Sequence, residues 1–227
     1  MLNKIALPAF LLIVGSTASA QTTTTFGVKA GLNFASATNT TSAITSFLAG
    51  AFANVGLSKS LWLQPGLYYS GKGYKNYENV TYEVGRFLRD EKCTLSYLQL
   101  PLNLVYHRGI KQGSFFVGAG PFAAVALNGR LKGYIEQPIS NDASITMIRT
   151  DYNLKIEIGK DHSGRMDDYN ASGIKRMDFG ATALAGFAFN NGLLFNMNYD
   201  LGLTNIRSGN YGTIKTRTIG FSLGFNF

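Results

Sequence analysis

Side chains that titrate or turn nucleophilic near neutral pH without a large perturbation are few in this chain: two histidines, His107 and His162, and one cysteine, Cys93. His162 stands beside Asp161 and Ser163 and shortly before Asp167 and Asp168, which brings an imidazole, a hydroxyl and three carboxylates close together in the sequence. That is the set a nucleophilic or general-base mechanism, or a bound cation, would draw on. The spacing does not follow the Asp-x-Asp-x-Asp-Gly order of a calcium loop, so the plainer reading is a solvated charged loop. His107 ends an apolar alternating segment and borders a turn. A lone cysteine makes neither an internal disulfide nor a cysteine-based zinc site. No cofactor is expected.

The composition narrows the setting in which any such chemistry would occur. Charged residues make up 15% of the 227, against about 25% in an average soluble domain. Aromatics reach 13% and glycines number 26. The formal net charge is +8, but the basic residues are scattered singly, without the Lys/Arg run or basic helix that tracks nucleic-acid phosphates. Anionic lipid head groups and lipopolysaccharide phosphates suit such a chain better than nucleic acid does. With a mean hydropathy of +0.03 and no apolar run of about 18 to 20 residues, a membrane-spanning helix is excluded.

Residues 1–20 read as an export signal. Lys4 precedes the apolar run Ile5 to Val14, and Ala18-Ser19-Ala20 has the small residues a signal peptidase requires. Cleavage is expected after Ala20, leaving residues 21–227 as one domain whose first residue, Gln21, is not the cysteine a lipoprotein needs.

Through that domain the apolar residues alternate with a period of two, the signature of strands. Ile219, Phe221, Leu223, Phe225 and Phe227 interleave with Gly220, Ser222, Gly224 and Asn226; Phe26, Val28, Ala30, Leu32 and Phe34 interleave with Gly27, Lys29, Gly31 and Asn33. Asp178 to Asn190 and Leu193 to Thr204 behave likewise around a hairpin at Asn190-Asn191-Gly192. Four further segments, about Phe47 to Ser58, Leu61 to Lys72, Leu95 to His107 and Phe115 to Asn128, bring the strands to eight. Their length suits the 9–11 tilted residues, roughly, that cross a bilayer.

A soluble sandwich would bury the apolar face, whereas a membrane barrel turns it to lipid and keeps the polar, glycine-rich face inside. The scarcity of charge and the recurrence of glycine and asparagine on the second face favour the barrel. Short links at Ser58–Ser60, Arg108–Ser114 and Asn190–Gly192 alternate with long ones at Ala35–Ser46, Gly73–Thr94, Gly129–Met177 and Asn205–Gly212, the order of periplasmic turns and extracellular loops. The expected fold is therefore all-β: an eight-stranded antiparallel up-and-down transmembrane β-barrel with long extracellular loops. Within the longest loop, Ser144 to Arg149 and Tyr152 to Ile158 alternate again, which suggests strands rising above the membrane.

Gly27-Val28-Lys29-Ala30-Gly31-Leu32-Asn33 resembles the opening strand of the PorT-like outer-membrane β-barrel family of Bacteroidota. Leu63 to Gly73 resembles that family's third strand, and Leu95-Ser96-Tyr97-Leu98-Gln99-Leu100-Pro101-Leu102 its "YLEIP" strand, with Gln99 where glutamate is common. Asp178-Phe179-Gly180 and Tyr199 to Ile206 resemble its paired C-terminal motifs. The resemblance implies an eight-stranded barrel in the outer membrane of a Gram-negative bacterium, and its named member assists protein secretion.

A barrel of eight strands is filled by side chains, which disfavours an open pore. Trp62, Tyr68, Phe52, Phe116 and Phe122 are expected to help fill it, and Lys29, Asp178 and Asp200 to point inward, with Lys29 paired to Asp200 at mid-height as a structural plug. The expected role is structural or interactive rather than enzymatic: a barrel that presents Gly73–Thr94 and Gly129–Met177 outward, as a subunit or accessory of an envelope or protein-secretion complex. An enzyme using the His162 cluster and a narrow channel are the alternatives. The expected partners are outer-membrane lipid and lipopolysaccharide, the barrel assembly machinery acting on the Phe227 strand, and an envelope complex, with no nucleic acid.

Overall fold

The computed structural model describes residues 23–82, 85–141, 144–159, 173–208 and 212–227. The expected signal segment, its cleavage after Ala20 and the His162 cluster lie outside the described residues.

Nine strands are described: β1 (Thr24–Ala37), β2 (Ile44–Gly56), β3 (Leu61–Tyr82), β4 (Gly85–Ile110), β5 (Gly113–Asn141), β6 (Ser144–Lys155), β7 (Met177–Phe189), β8 (Leu193–Gly202) and β9 (Thr216–Asn226). Eight of them close a ring in the order β1-β2-β3-β4-β5-β7-β8-β9, and β9 returns to β1, every pair antiparallel. Closure leaves no unpaired backbone edge around the wall, as hydrocarbon requires. The ninth strand, β6, pairs with β5 above the ring.

Two of the links expected as long loops, Gly73–Thr94 and Gly129–Met177, contain long stretches of strand. β3 and β4 run for 22 and 26 residues, and the whole of Gly73–Thr94 on either side of its turn is paired, from Gly73 opposite Thr94 to Tyr82 opposite Gly85. β5 runs for 29 residues and changes partner along one edge, taking β7 up to Val125 and β6 from Arg130 to Asn141. The extra residue Leu127 falls between the Ser96 and Tyr97 pairings, a bulge at the level where the ring ends. The upper halves of β3, β4 and β5 with β6 thus form a four-stranded blade, continuous with the barrel wall.

Burial is inverted relative to a soluble sheet. On β1 the apolar Phe26, Val28, Leu32 and Phe34 are 41–63% exposed while Lys29 and Asn33 are buried, and on β9 Leu223 is 61% exposed while Thr218 and Ser222 are buried. The outward face of β4 is Leu98, Leu100, Leu102, Leu104 and Tyr106. At about 3.3 Å per residue and a tilt of about 40° these span roughly 20 Å, near the height of an outer-membrane apolar band.

The inward glycines make room for inward aromatic rings. A Cβ added to Gly180 would lie 2.2 Å from the Leu201 carbonyl oxygen and 2.6 Å from the Phe122 ring, one on Gly27 2.5 Å from Phe52, and one on Gly50 2.1 Å from the Leu67 carbonyl oxygen and 2.6 Å from Tyr68. Recurring second-face glycine is therefore a packing requirement of a narrow ring filled by bulky side chains. Gly180→Val is expected to destabilise the barrel by about 1–3 kcal/mol through overpacking against the Leu201 backbone and the Phe122 ring, seen as a lower unfolding temperature of the compact form in a gel-shift assay.

Candidate functional site

Two polar regions could carry a function: the barrel interior and the blade. Within the interior, Lys29, Asp178 and Asp200 are all buried, 8%, 0% and 2% exposed. Phe52, Tyr68, Phe116 and Phe122 are buried beside them, and Trp62, half-buried, packs on His107 at the short-turn end with ring centroids 5.7 Å apart.

The ion pair expected between Lys29 and Asp200 is not the one formed. Asp178 pairs instead with Lys72, whose Nζ lies 3.5 Å from the carboxylate, both side chains fully buried. Asp178 also accepts hydrogen bonds from the Thr204 hydroxyl at 2.7 Å and the Thr216 hydroxyl at 2.9 Å. Asp200 accepts from Gln99 at 3.0 Å, Thr182 at 2.9 Å and Asn198 at 3.3 Å. Register explains the exchange. Asp200 lies opposite Thr218, which lies opposite Ala35, six residues above Lys29 along β1, whereas Lys72 reaches across the lumen from β3 to within 3.5 Å of Asp178 on β7. Lys29 rests over the Tyr68 ring at 4.7 Å, and Lys72 over the Phe122 ring at 4.3 Å.

Beside Lys29, His107 and Asn226 a cavity of only about 20 Å³ remains, roughly the room of one water. At the other end the interior is closed by apolar side chains. Ile156, Ile174, Ile206 and Ile214, each on a different segment above the ring, are 0–6% exposed and pack with Tyr74, Cys93, Leu95 and Leu131. Backbone bonds knit the segments together: Lys175 N–H to Ile206 O at 2.7 Å, Ile206 N–H to Ile214 O at 2.9 Å, and Gly159 N–H to Ile174 O at 2.8 Å. This isoleucine cap was not anticipated. Its only trace in the sequence is isolated isoleucines in otherwise polar loops, of which Ile156 alone belonged to a recognised alternation.

Cys93 sits inside the cap, above the apolar band, and burial pushes its thiol up to about 12. At pH 8 an exposed thiol is partly thiolate and reacts, whereas Cys93 stays protonated. The folded protein is expected to leave Cys93 unmodified by a thiol-reactive dye at pH 8 and to be labelled stoichiometrically once unfolded; comparable rates in both states would contradict the cap.

The blade carries its charges in networks on both faces. On the inner face Glu91 is bound by Arg89 at 2.8 Å and accepts from the Tyr152 hydroxyl at 3.0 Å. On the outer face Lys75 meets Asp90 at 3.2 Å, and Arg149 joins Glu136 at 3.5 Å and Asp151 at 3.1 Å while lying 3.7 Å over the Tyr134 ring. Toward the tip Tyr77, Val80, Tyr82, Met147 and Ile148 are 41–56% exposed. Among the described residues no group of three His, Cys, Asp or Glu side chains is placed to hold a metal ion.

Residues 19–208 match the family model described as "Outer membrane protein beta-barrel domain". Similar solved structures include Ail, the attachment invasion locus protein of Yersinia pestis, at 10% identity over 90% of this chain and 97% of that one, with a TM-score of 0.39. Neisserial surface protein A is similar at 14% identity over 88% and 95%, TM-score 0.41. The N-terminal β-barrel domain of Pseudomonas aeruginosa OprF is similar at 14% identity over 88% and 97%, TM-score 0.30. A search of curated proteins finds no match.

Proposed function

Because the chain belongs to the outer-membrane β-barrel family and so lies in the outer membrane of a Gram-negative bacterium, we propose that it is a plugged, non-enzymatic barrel that holds its blade outside the cell as an interaction surface. Its partner in this reading is an envelope or protein-secretion complex of which it is a subunit or accessory, as the sequence resemblance to the PorT-like family implies. The observation that carries the reading is continuity: β3, β4 and β5 pass from wall to blade as single strands of 22, 26 and 29 residues. A surface built this way is held rigidly at a fixed height, as a docking platform needs, with exposed Tyr77, Tyr82 and Met147 toward its tip.

The filled interior and the isoleucine cap argue against conduction, and folded protein in a planar bilayer should give no discrete conductance steps. The docking role is tested by placing a photo-crosslinking side chain at Tyr82 in cells and identifying adducts by mass spectrometry. A single stoichiometric protein adduct, lost when the crosslinker is moved to the short turn at Lys59, is expected. A barrel that crosslinks to nothing at Tyr82 and extracts alone in mild detergent would overturn it.

A further inference from the structure

Basic residues scattered singly along the chain come together across the strands. Lys75 on β3 lies opposite Lys92 on β4, and Lys92 opposite Lys132 on β5. One rung nearer the barrel, Arg130 lies opposite Lys155 of β6. All five point outward, since they alternate with the inward Tyr74, Cys93, Leu131 and Ile156. Paired strands sit about 4.8 Å apart and successive same-face rungs about 7 Å apart, so five cations share a patch on the order of 15 by 7 Å.

Like charges directly opposite one another destabilise a sheet, and among the described residues little offsets these. Asp90 meets Lys75; among the described residues Lys92, Lys132, Arg130 and Lys155 have no carboxylate within 4 Å. The three lysines, with Asp90, Ala43, Thr45 and Tyr134, border an open depression of about 490 Å³, so three cations face one carboxylate there. The patch also has a fixed height. Directly below it Tyr69 donates to the Ser96 hydroxyl at 2.6 Å, and below that the same outward face is Leu98, Leu100 and Leu102. A tyrosine at that level marks the membrane interface, which puts the two basic rungs in the layer of lipid phosphates.

We propose that these rungs bind the phosphates of lipopolysaccharide in the outer leaflet, with the acyl chains lying down the leucine face of β4. Charge complementarity, the depression and the continuity with the lipid-facing surface together select a phosphorylated glycolipid whose charge and chains lie at those two heights. The site stands whether or not a protein docks at the blade tip, because it rests only on the barrel's place in the outer membrane.

The test uses the full folded chain in detergent, titrated by native mass spectrometry with bisphosphorylated lipid A, its dephosphorylated form and phosphatidylglycerol. A cation at an anionic surface contributes about fivefold, so the triple variant Lys75→Gln/Lys92→Gln/Lys132→Gln is expected to bind bisphosphorylated lipid A roughly a hundredfold more weakly, and Lys92→Gln alone about fivefold. The dephosphorylated lipid should bind wild type about as weakly as the phosphorylated lipid binds the triple variant. Lys59→Gln/Arg108→Gln/Lys111→Gln at the opposite end should bind as wild type. Undiminished binding by the triple variant, equal binding of the dephosphorylated lipid, or equal affinity for phosphatidylglycerol would overturn the proposal. All substituted lysines are on the surface, and the gel-shift assay verifies that each variant is folded.

Discussion

Asp178→Ala is expected to destabilise the barrel by about 3–5 kcal/mol, the cost of removing one partner of a buried ion pair and leaving the other charge uncompensated. Lys72 and Asp178 are both fully buried, and Asp178 also takes the hydroxyl protons of Thr204 and Thr216. Those two threonines come from separate segments at the upper end of β8 and β9, so the carboxylate ties three parts of the wall to Lys72 across the lumen. Removing both charges while keeping an acceptor, as in Lys72→Met/Asp178→Asn, should recover most of the loss, since a buried pair can often be replaced at little net cost. Guanidinium unfolding of protein folded in lipid vesicles measures both. A loss under about 1 kcal/mol for Asp178→Ala would mean that water reaches this part of the interior.

Leu102→Arg should cost about 2–4 kcal/mol in a bilayer, the penalty of an arginine at the midplane of a membrane barrel. Leu102 lies midway along the outward band from Leu98 to Tyr106 and is 39% exposed. On a soluble protein a half-exposed leucine would accept arginine with a change of about 0.5 kcal/mol or less. The same substitution at Thr94, on the same face of the same strand but above the band, should cost no more than about 1 kcal/mol. The contrast between the two sites isolates depth from propensity, and vesicle unfolding of the two variants side by side reads it. Equal costs would place both side chains in one solvent.

How much was legible in the sequence follows from which contrasts a residue pattern can carry. Phe26 to Phe34 and Ile219 to Phe227 were readable because lipid on one side and a packed polar lumen on the other impose strict alternation. Lys75-Asn76-Tyr77-Glu78-Asn79 was not, although it is strand, because water meets its outer face and its inner face sets Asn76 and Glu78 opposite Glu91 and Arg89, so neither side is apolar. Tyr152 to Ile158 showed its period because Tyr152, Ile156 and Ile158 turn toward the cap. The partner of Asp178 needed register across the whole ring: an alternating pattern tells which way Lys29 and Lys72 point, not how high each stands against a strand on the far wall. The basic patch was hidden for the same reason. Lys75, Lys92 and Lys132 are far apart in the chain and become neighbours only through the pairing of β3, β4 and β5.

That the apolar outer face lies in hydrocarbon is tested most directly by fluorescence. Trp62 is the sole tryptophan, and Leu223, 61% exposed, lies on the outward face of β9 with Phe221 and Phe225 to either side. In protein carrying Trp62→Phe and Leu223→Trp, refolded into vesicles, the new indole should be quenched by lipids brominated near mid-chain and be insensitive to aqueous iodide. Quenching by iodide with no response to the brominated chains would place that face in water and contradict the barrel's membrane orientation.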